Sequence, residues 1–80
     1  MQRITHPTHL GATLQSRRKA LKLSQAQVAE RLSLSQNRLS ELEANPETLT
    51  AQQLLSLLNV LGLEMSIGES TDDARKPVEW

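Results

Sequence analysis

Apolar residues recur at helical spacing in four stretches of the sequence and alternate with polar residues in a fifth. The first stretch predicts a helix from an N-cap at Thr8 to about Lys22. Its inward-facing residues are Leu10, Leu14 and Leu21. Residues 1–7 show no such periodicity, and Pro7 holds the residue before it extended, so an N-terminal arm is predicted over residues 1–9.

Two short helices separated by a tight turn are predicted in the next stretch. Each is opened by a serine that can serve as N-cap, Ser24 for the first and Ser35 for the second, and Gln27 can complete a capping box with Ser24. The residues predicted to face inward are Val28, Ala29, Leu32, Leu39 and Leu42, with Leu34 in the turn. Two capped helices joined by so short a turn predict a helix-turn-helix unit.

The fourth helix has more apolar residues than one buried face requires. It is predicted over residues 51–61, opened by Thr50 with Gln53 as its capping-box partner and ended by Gly62. Pro46 separates it from the preceding helix, which cannot continue through a proline. A helix that is apolar on two faces is buried on two faces, so the second face is predicted to pack against a second copy of the chain.

Residues 63–68 alternate apolar and polar side chains and predict a strand. Because no other strand is evident, it is predicted to pair with its symmetry mate in a homodimer. Residues 69–80 are charged and aperiodic and are predicted to be a disordered tail, in which Trp80 binds a partner. The expected fold is mainly α: a four-helix domain with a helix-turn-helix unit over residues 10–62, followed by the dimerisation strand.

Composition limits the class of protein. Eighty residues form one small domain with an aliphatic core, because the sequence holds one Trp and no Phe or Tyr. Without Cys there are no disulfides or thiolate metal sites, and no apolar run suits a signal peptide or membrane span, so a cytoplasmic protein is expected. No nucleophile–base pair, glycine-rich phosphate loop or metal-ligand cluster is evident, so we expect no enzymatic activity, cofactor or metal.

Charge is distributed unevenly along a sequence whose net charge is zero. Residues 1–38 carry +6, from seven basic residues against Glu30 alone. Residues 39–80 carry −6, from two basic residues against eight acidic ones. Such a polarised chain can bind phosphate through one end, and the basic end is the one that contains the predicted helix-turn-helix.

The outer face of the second short helix carries the amides of Gln36 and Asn37, with Ser40 one turn further on. Amides can pair bidentately with adenine in the major groove, although a single surface amide is more commonly only solvated. This pair lies just inside a capped helix that follows a tight turn, and that position favours base contacts.

Four further residues are candidates for contacts to the DNA backbone. Arg17 and Arg18 form either a solvated face of the first helix or contacts to phosphate, which position a protein without reading sequence. Ser24 and Gln25 open a helix whose N-terminus favours phosphate.

Residues 23–32 and 35–43 resemble the xenobiotic-response-element and phage-repressor family of helix-turn-helix proteins. The resemblance is carried by Ser24, Gln25, Ala29, Leu34, Leu42 and Glu43. The family usually has glycine where this sequence has Ser33. Glycine suits a left-handed helix end, so Ser33 either adopts that conformation at some cost or lets the turn relax.

Together with the strand and the acidic tail, the helix-turn-helix is similar to HipB-type antitoxins. The resemblance implies a homodimeric repressor that binds an inverted repeat in double-stranded DNA, autoregulates its operon and binds a HipA-type kinase toxin. It implies base contacts from Ser35, Gln36, Asn37 and Ser40, and a toxin contact from Trp80. Such proteins often carry a basic residue where this one has Ser35, and Arg38 is the candidate to supply that charge to the DNA backbone.

Two alternatives stay open. A stand-alone phage-type repressor would keep the DNA contacts and leave Trp80 without a role. A protein-interaction module that retains the fold without binding DNA would agree best with the zero net charge.

Overall fold

The computed structural model describes residues 3–69, which form four helices and one short 3₁₀ turn. The elements are α1 (Pro7–Ala20), α2 (Gln25–Arg31), α3 (Gln36–Ala44), the 3₁₀ turn Pro46–Thr48 and α4 (Ala51–Val60). The mainly α, four-helix prediction is confirmed, and α2 and α3 form the helix-turn-helix unit.

Side-chain caps begin every α-helix. The predicted N-caps Ser24, Ser35 and Thr50 are confirmed, and those of α2 and α4 are complete capping boxes. The predicted cap at Thr8 is wrong, because α1 begins at Pro7 and its N-cap is His6. The imidazole Nδ1 of His6 accepts from the backbone N–H of Thr8 at 3.2 Å. The predicted N-terminal arm is therefore shortened by the helical residues 7–9.

Three of the helices end in the same way, with one residue in the left-handed conformation followed by a leucine. The left-handed residues are Lys22, Ser33 and Gly62, with φ of 59°, 58° and 67°. The leucines that follow are Leu23, Leu34 and Leu63, and each donates its N–H back to the last turn of its helix, to the carbonyls of Arg18, Ala29 and Leu58. This is the Schellman arrangement, in which two carbonyls of the last turn are satisfied and an apolar residue folds back onto the core.

The core is aliphatic and drawn from all four helices. The buried apolar residues are Leu14, Val28, Ala29, Leu39, Leu42, Leu57 and Leu61. Of the inward-facing residues predicted for α2 and α3, four are buried and Leu32 is partly buried against the same core. The prediction for Leu21 is wrong, since this residue caps α1 and is 39% exposed.

Gly11 lets α1 pass unusually close to the end of α3. A Cβ at this position would lie 2.7 Å from the carbonyl oxygen of Glu43 and 3.0 Å from the ring of Pro46. A backbone oxygen in a packed interface cannot shift to make room for a Cβ, so glycine is the residue that lets α1 and α3 come this close.

One apolar flank of α4 stays uncovered in the single chain. Leu57 is buried against the helix-turn-helix, whereas Leu55 is 52% exposed. Residues 63–69 have no regular secondary structure within the single chain, so the predicted strand is not formed there. The predicted disordered tail lies outside the described residues. Within residues 3–69, every helix is too short or too polar to traverse a lipid bilayer.

The left-handed conformation of Ser33 settles how the turn accommodates a non-glycine residue, and it makes a stability prediction. A residue with a side chain adopts the left-handed conformation at a cost of about 1–2 kcal/mol. Part of this cost is offset because serine loses less backbone entropy on folding than glycine does. Ser33→Gly is therefore expected to raise the free energy of unfolding by about 0.5–1 kcal/mol, as measured by urea denaturation followed by circular dichroism.

The matched control is Ser16→Gly, the same change at an exposed position inside α1. Glycine is a poorer helix former than serine, so this variant should be destabilised by about 0.5 kcal/mol. Equal shifts in the two variants would show that residue 33 bears no conformational cost.

Candidate nucleic-acid interface

The first turn of α3 presents a continuous polar surface. Ser35 accepts the N–H of Arg38 at 3.1 Å and thereby starts the helix. Gln36, Asn37 and Ser40 are exposed, whereas Leu39 on the opposite side of α3 is completely buried. The structure therefore brings the four residues predicted to contact bases onto one accessible surface at the start of α3, which has the size and polarity to enter a major groove.

A buried ion pair fixes the other end of α3. The guanidinium of Arg18 in α1 donates through Nε to Oε2 of Glu43 at 2.8 Å and through Nη2 to Oε1 at 3.2 Å. Its Nη1 donates to the carbonyl oxygen of Leu23 at 3.0 Å. The side chains of Arg18 and Glu43 are 9% and 5% exposed. The pair is therefore shielded from solvent, and its contribution to stability depends on how well its hydrogen bonds are formed.

Gln25 extends this network to the start of α2. Its Nε2 donates to Oε1 of Glu43 at 3.0 Å. One carboxylate thus connects the end of α1, the first residue of α2 and the end of α3. Since α3 carries the candidate base-contacting residues, the network fixes the orientation of α3 relative to the two helices behind it.

The structure corrects the prediction for Arg18. A guanidinium that is buried and spends its donors on Glu43 and Leu23 is not available to a phosphate outside the domain. The sequence held a signal for this outcome: Arg18 lies four residues after Leu14, on the same inward stripe of the helix. A charged residue on that stripe requires a buried partner, which only the fold identifies as Glu43.

Arg17 lies beside Arg18 and contacts a different element. Its Nε donates to the carbonyl oxygen of Leu61, the C-cap of α4, at 2.8 Å. Residue 17 is partly buried and joins α1 to the helix end from which residues 63–69 depart. Sequence reasoning missed this contact because 44 residues separate the partners.

The other candidates for contacts to the DNA backbone differ in whether a bond within the domain holds their side chains. Ser24 is exposed and caps α2 by accepting from Gln27 N–H at 3.1 Å, while Gln25 is held by Glu43. Arg38 is on the surface, and its closest ion-pair partner is Glu41, one turn along α3, at 3.4 Å. Ser24 and Arg38 thus remain accessible at the surface. Trp80, predicted to bind a partner, lies outside the described residues.

His6 and His9 lie beside each other at the start of α1. Their ring centroids are 6.0 Å apart, and Nδ1 of His6 is used as the N-cap of α1. Among residues 3–69, no three His, Cys, Asp or Glu side chains lie close enough together to hold a metal ion.

Comparison with known proteins agrees with this geometry. A family model described as helix-turn-helix matches residues 14–67. The chain is similar to a solved chain of a HipB-O1-O2 complex, at 26% identity and a TM-score of 0.77, covering 85% of this chain and 99% of that one. It is also similar to a chain of a HipA-HipB-O2-O3 complex, at 25% identity and a TM-score of 0.81, covering 89% and 100%. No curated protein matches the sequence.

A third solved structure, described as MDT protein, gives similar figures: 25% identity and a TM-score of 0.80, covering 89% of this chain and 100% of that one. All three matches extend over more of the chain than the helix-turn-helix itself. The resemblance therefore concerns the whole four-helix arrangement.

The buried ion pair makes the second prediction. Glu43→Gln leaves the guanidinium of Arg18 without a counter-charge in a buried position, and we expect a loss of about 3 kcal/mol in the free energy of unfolding. Urea denaturation measures it.

Glu41→Gln is the matched control, because it removes the other carboxylate of α3 that forms an ion pair, at a pair that is 42% and 64% exposed. Exposed pairs contribute little, so its stability should stay within about 0.5 kcal/mol of the parent protein. If Glu43→Gln were equally mild, the network would not be what orients α3.

Proposed function

The chain belongs to the helix-turn-helix family, and we propose that it is a transcriptional repressor of the HipB antitoxin type that binds DNA as a homodimer. The observation that carries the proposal is the start of α3, where Gln36, Asn37 and Ser40 are exposed together. The buried side of the helix is held by the core and by the ion pair between Arg18 and Glu43. Similarity to chains of HipB complexes over 85% and 89% of this chain supports the same conclusion.

Base contacts are assigned in this proposal to Ser35, Gln36, Asn37 and Ser40. The amides supply both a donor and an acceptor, which suits an adenine edge, and the two hydroxyls accept or donate as needed. Contacts to the DNA backbone are assigned to Arg38 and Ser24. Arg17 and Gln25 contribute by holding α4 and α3 in place, and any phosphate contact that they make adds to these intramolecular bonds.

Homodimerisation is supported by the apolar surface left uncovered in the single chain. Leu55, Met65 and Ile67 are 52%, 46% and 92% exposed. Alternating residues 63–68 have backbone groups that a second copy could pair, and a twofold axis through such a pairing would make the interface self-complementary. Two copies of α3 would then contact an inverted repeat with half-sites about 34 Å apart.

The antitoxin part of the proposal rests on the resemblance to HipB, which is found in a complex with HipA. We assign a HipA-type kinase as the protein partner and Trp80 as a contact residue. A stand-alone repressor would differ only in lacking that partner.

Base contacts by Gln36 lead to the third prediction. Gln36→Ala should weaken binding to the DNA upstream of the protein's own gene by about 1–3 kcal/mol and leave binding to a scrambled fragment unchanged. Fluorescence anisotropy at two salt concentrations measures both affinities, and binding should weaken steeply as salt rises because counterions are released from the DNA.

Gln52→Ala serves as the control for this experiment, since Gln52 is an exposed amide in α4, outside the helix-turn-helix. It should bind like the parent protein. Equal and weak binding of the parent protein to both fragments would contradict the repressor and favour a protein-interaction module.

The fourth prediction concerns the partner. Trp80→Ala should abolish co-purification with a co-expressed HipA-type kinase while leaving affinity for upstream DNA unchanged, because tryptophan side chains commonly dominate interfaces. Retained capture of the kinase would remove Trp80 from the interface. Failure of the parent protein to capture any such kinase would leave the stand-alone repressor.

A further inference from the structure

An open apolar groove lies between the first turns of α1 and α4, away from the exposed start of α3. Its apolar lining consists of Ile4, Pro7, Leu10, Pro46, Leu49 and Leu54, with Ala51 at the start of α4. Ile4 is 44% exposed there. The base contacts and the proposed dimer surface use other residues. A contiguous apolar surface that folding leaves open is a candidate for binding another segment of protein.

The electrostatics of the groove favour a negatively charged segment. Both α1 and α4 begin at its edge, and neither has an acidic residue in its first turn. The partial positive charge at each helix N-terminus is therefore not neutralised by the helix itself. His6 also lines the groove, and Glu47 in the 3₁₀ turn is the one acidic residue among the lining.

We propose that this groove binds the Val78-Glu79-Trp80 segment of the same chain. Val78 and Trp80 supply apolar side chains, and Trp80 is the only Trp, Phe or Tyr in the sequence. Glu79, between them, provides the negative charge that two helix N-termini favour. An indole buries a large apolar area, which is what the leucine and proline walls offer.

The length of the chain permits this contact within one molecule. Leu63 is fixed at the end of α4 by the bond from its N–H to the carbonyl oxygen of Leu58. Residues 64–80 would span roughly 56 Å when fully extended. The groove lies at the other end of α4, a helix of 10 residues and therefore about 15 Å long. The extended length of residues 64–80 therefore exceeds the distance back along α4 to the groove.

Docking of this segment would regulate the proposed partner contact. Trp80 held in the groove is withheld from a kinase, so the apparent affinity for that partner falls in proportion to the undocked fraction. This part of the inference rests on the proposed function, whereas the docking itself does not. Fluorescence of Trp80 tests the docking with neither DNA nor partner present, so a negative result would leave the repressor assignment unchanged.

Intrinsic fluorescence tests the docking directly, because every photon emitted by tryptophan in this protein comes from Trp80. In the full-length protein we expect emission shifted to the blue of a tryptophan amide in water, with reduced quenching by iodide. Ile4→Asp, which places a carboxylate in the groove at an exposed position before α1, should abolish both effects. Circular dichroism confirms that the helices are retained.

Ala51→Asp is a second groove variant, chosen because an acidic residue in the first turn of α4 is compatible with folding. It should also abolish the blue shift. The matched control is Ile67→Asp, the same change at a residue that is 92% exposed and outside the groove lining, and it should keep the blue shift.

Two results would overturn the proposal. One is water-like emission and full quenching in the parent protein, which would show that Trp80 is not docked. The other is a blue shift that disappears on dilution or in Ile67→Asp, which would assign the occupant to a second copy of the chain. A blue shift that survives dilution and is lost only in the groove variants supports docking within one chain.

Discussion

The ion pair between Arg18 and Glu43 is the interaction on which the orientation of the helix-turn-helix depends. A buried guanidinium is tolerated only where its donors are matched, and here they are matched by a carboxylate from α3 and a carbonyl from the turn after α1. Gln25 joins the same carboxylate. Three helix ends therefore converge on a single side chain, and the exposed start of α3 acquires a fixed direction from contacts made at its opposite end.

Features encoded within a few residues were predictable from the sequence. The caps at Ser24, Ser35 and Thr50 are local hydrogen bonds, and the inward positions of α2 and α3 follow from helical spacing. The polar start of α3 was predictable for the same reason, since the residues opposite Leu39 must face outward.

Contacts between residues distant in sequence were not predictable in this way. Arg17 and Arg18 have the same chemistry in the sequence, yet one holds the end of α4 and the other the end of α3. Glycine is required at residue 11 only because Glu43 and Pro46 lie within contact distance of it. Residue type alone predicts Thr8 as the cap of α1, whereas Pro7 fits the first helical position and makes His6 the cap.

The repeated ending of α1, α2 and α4 has a consequence for how such a protein can change. Each ending combines one left-handed residue with one leucine that folds back onto the core, so the helix lengths and the directions of the turns are set without help from the outer surface of α3. Substitutions at Gln36, Asn37 or Ser40 therefore disturb no contact that holds the domain together. A family of such chains could diverge in the DNA sites that they recognise while keeping one scaffold, and new specificities could be grafted onto the first turn of α3.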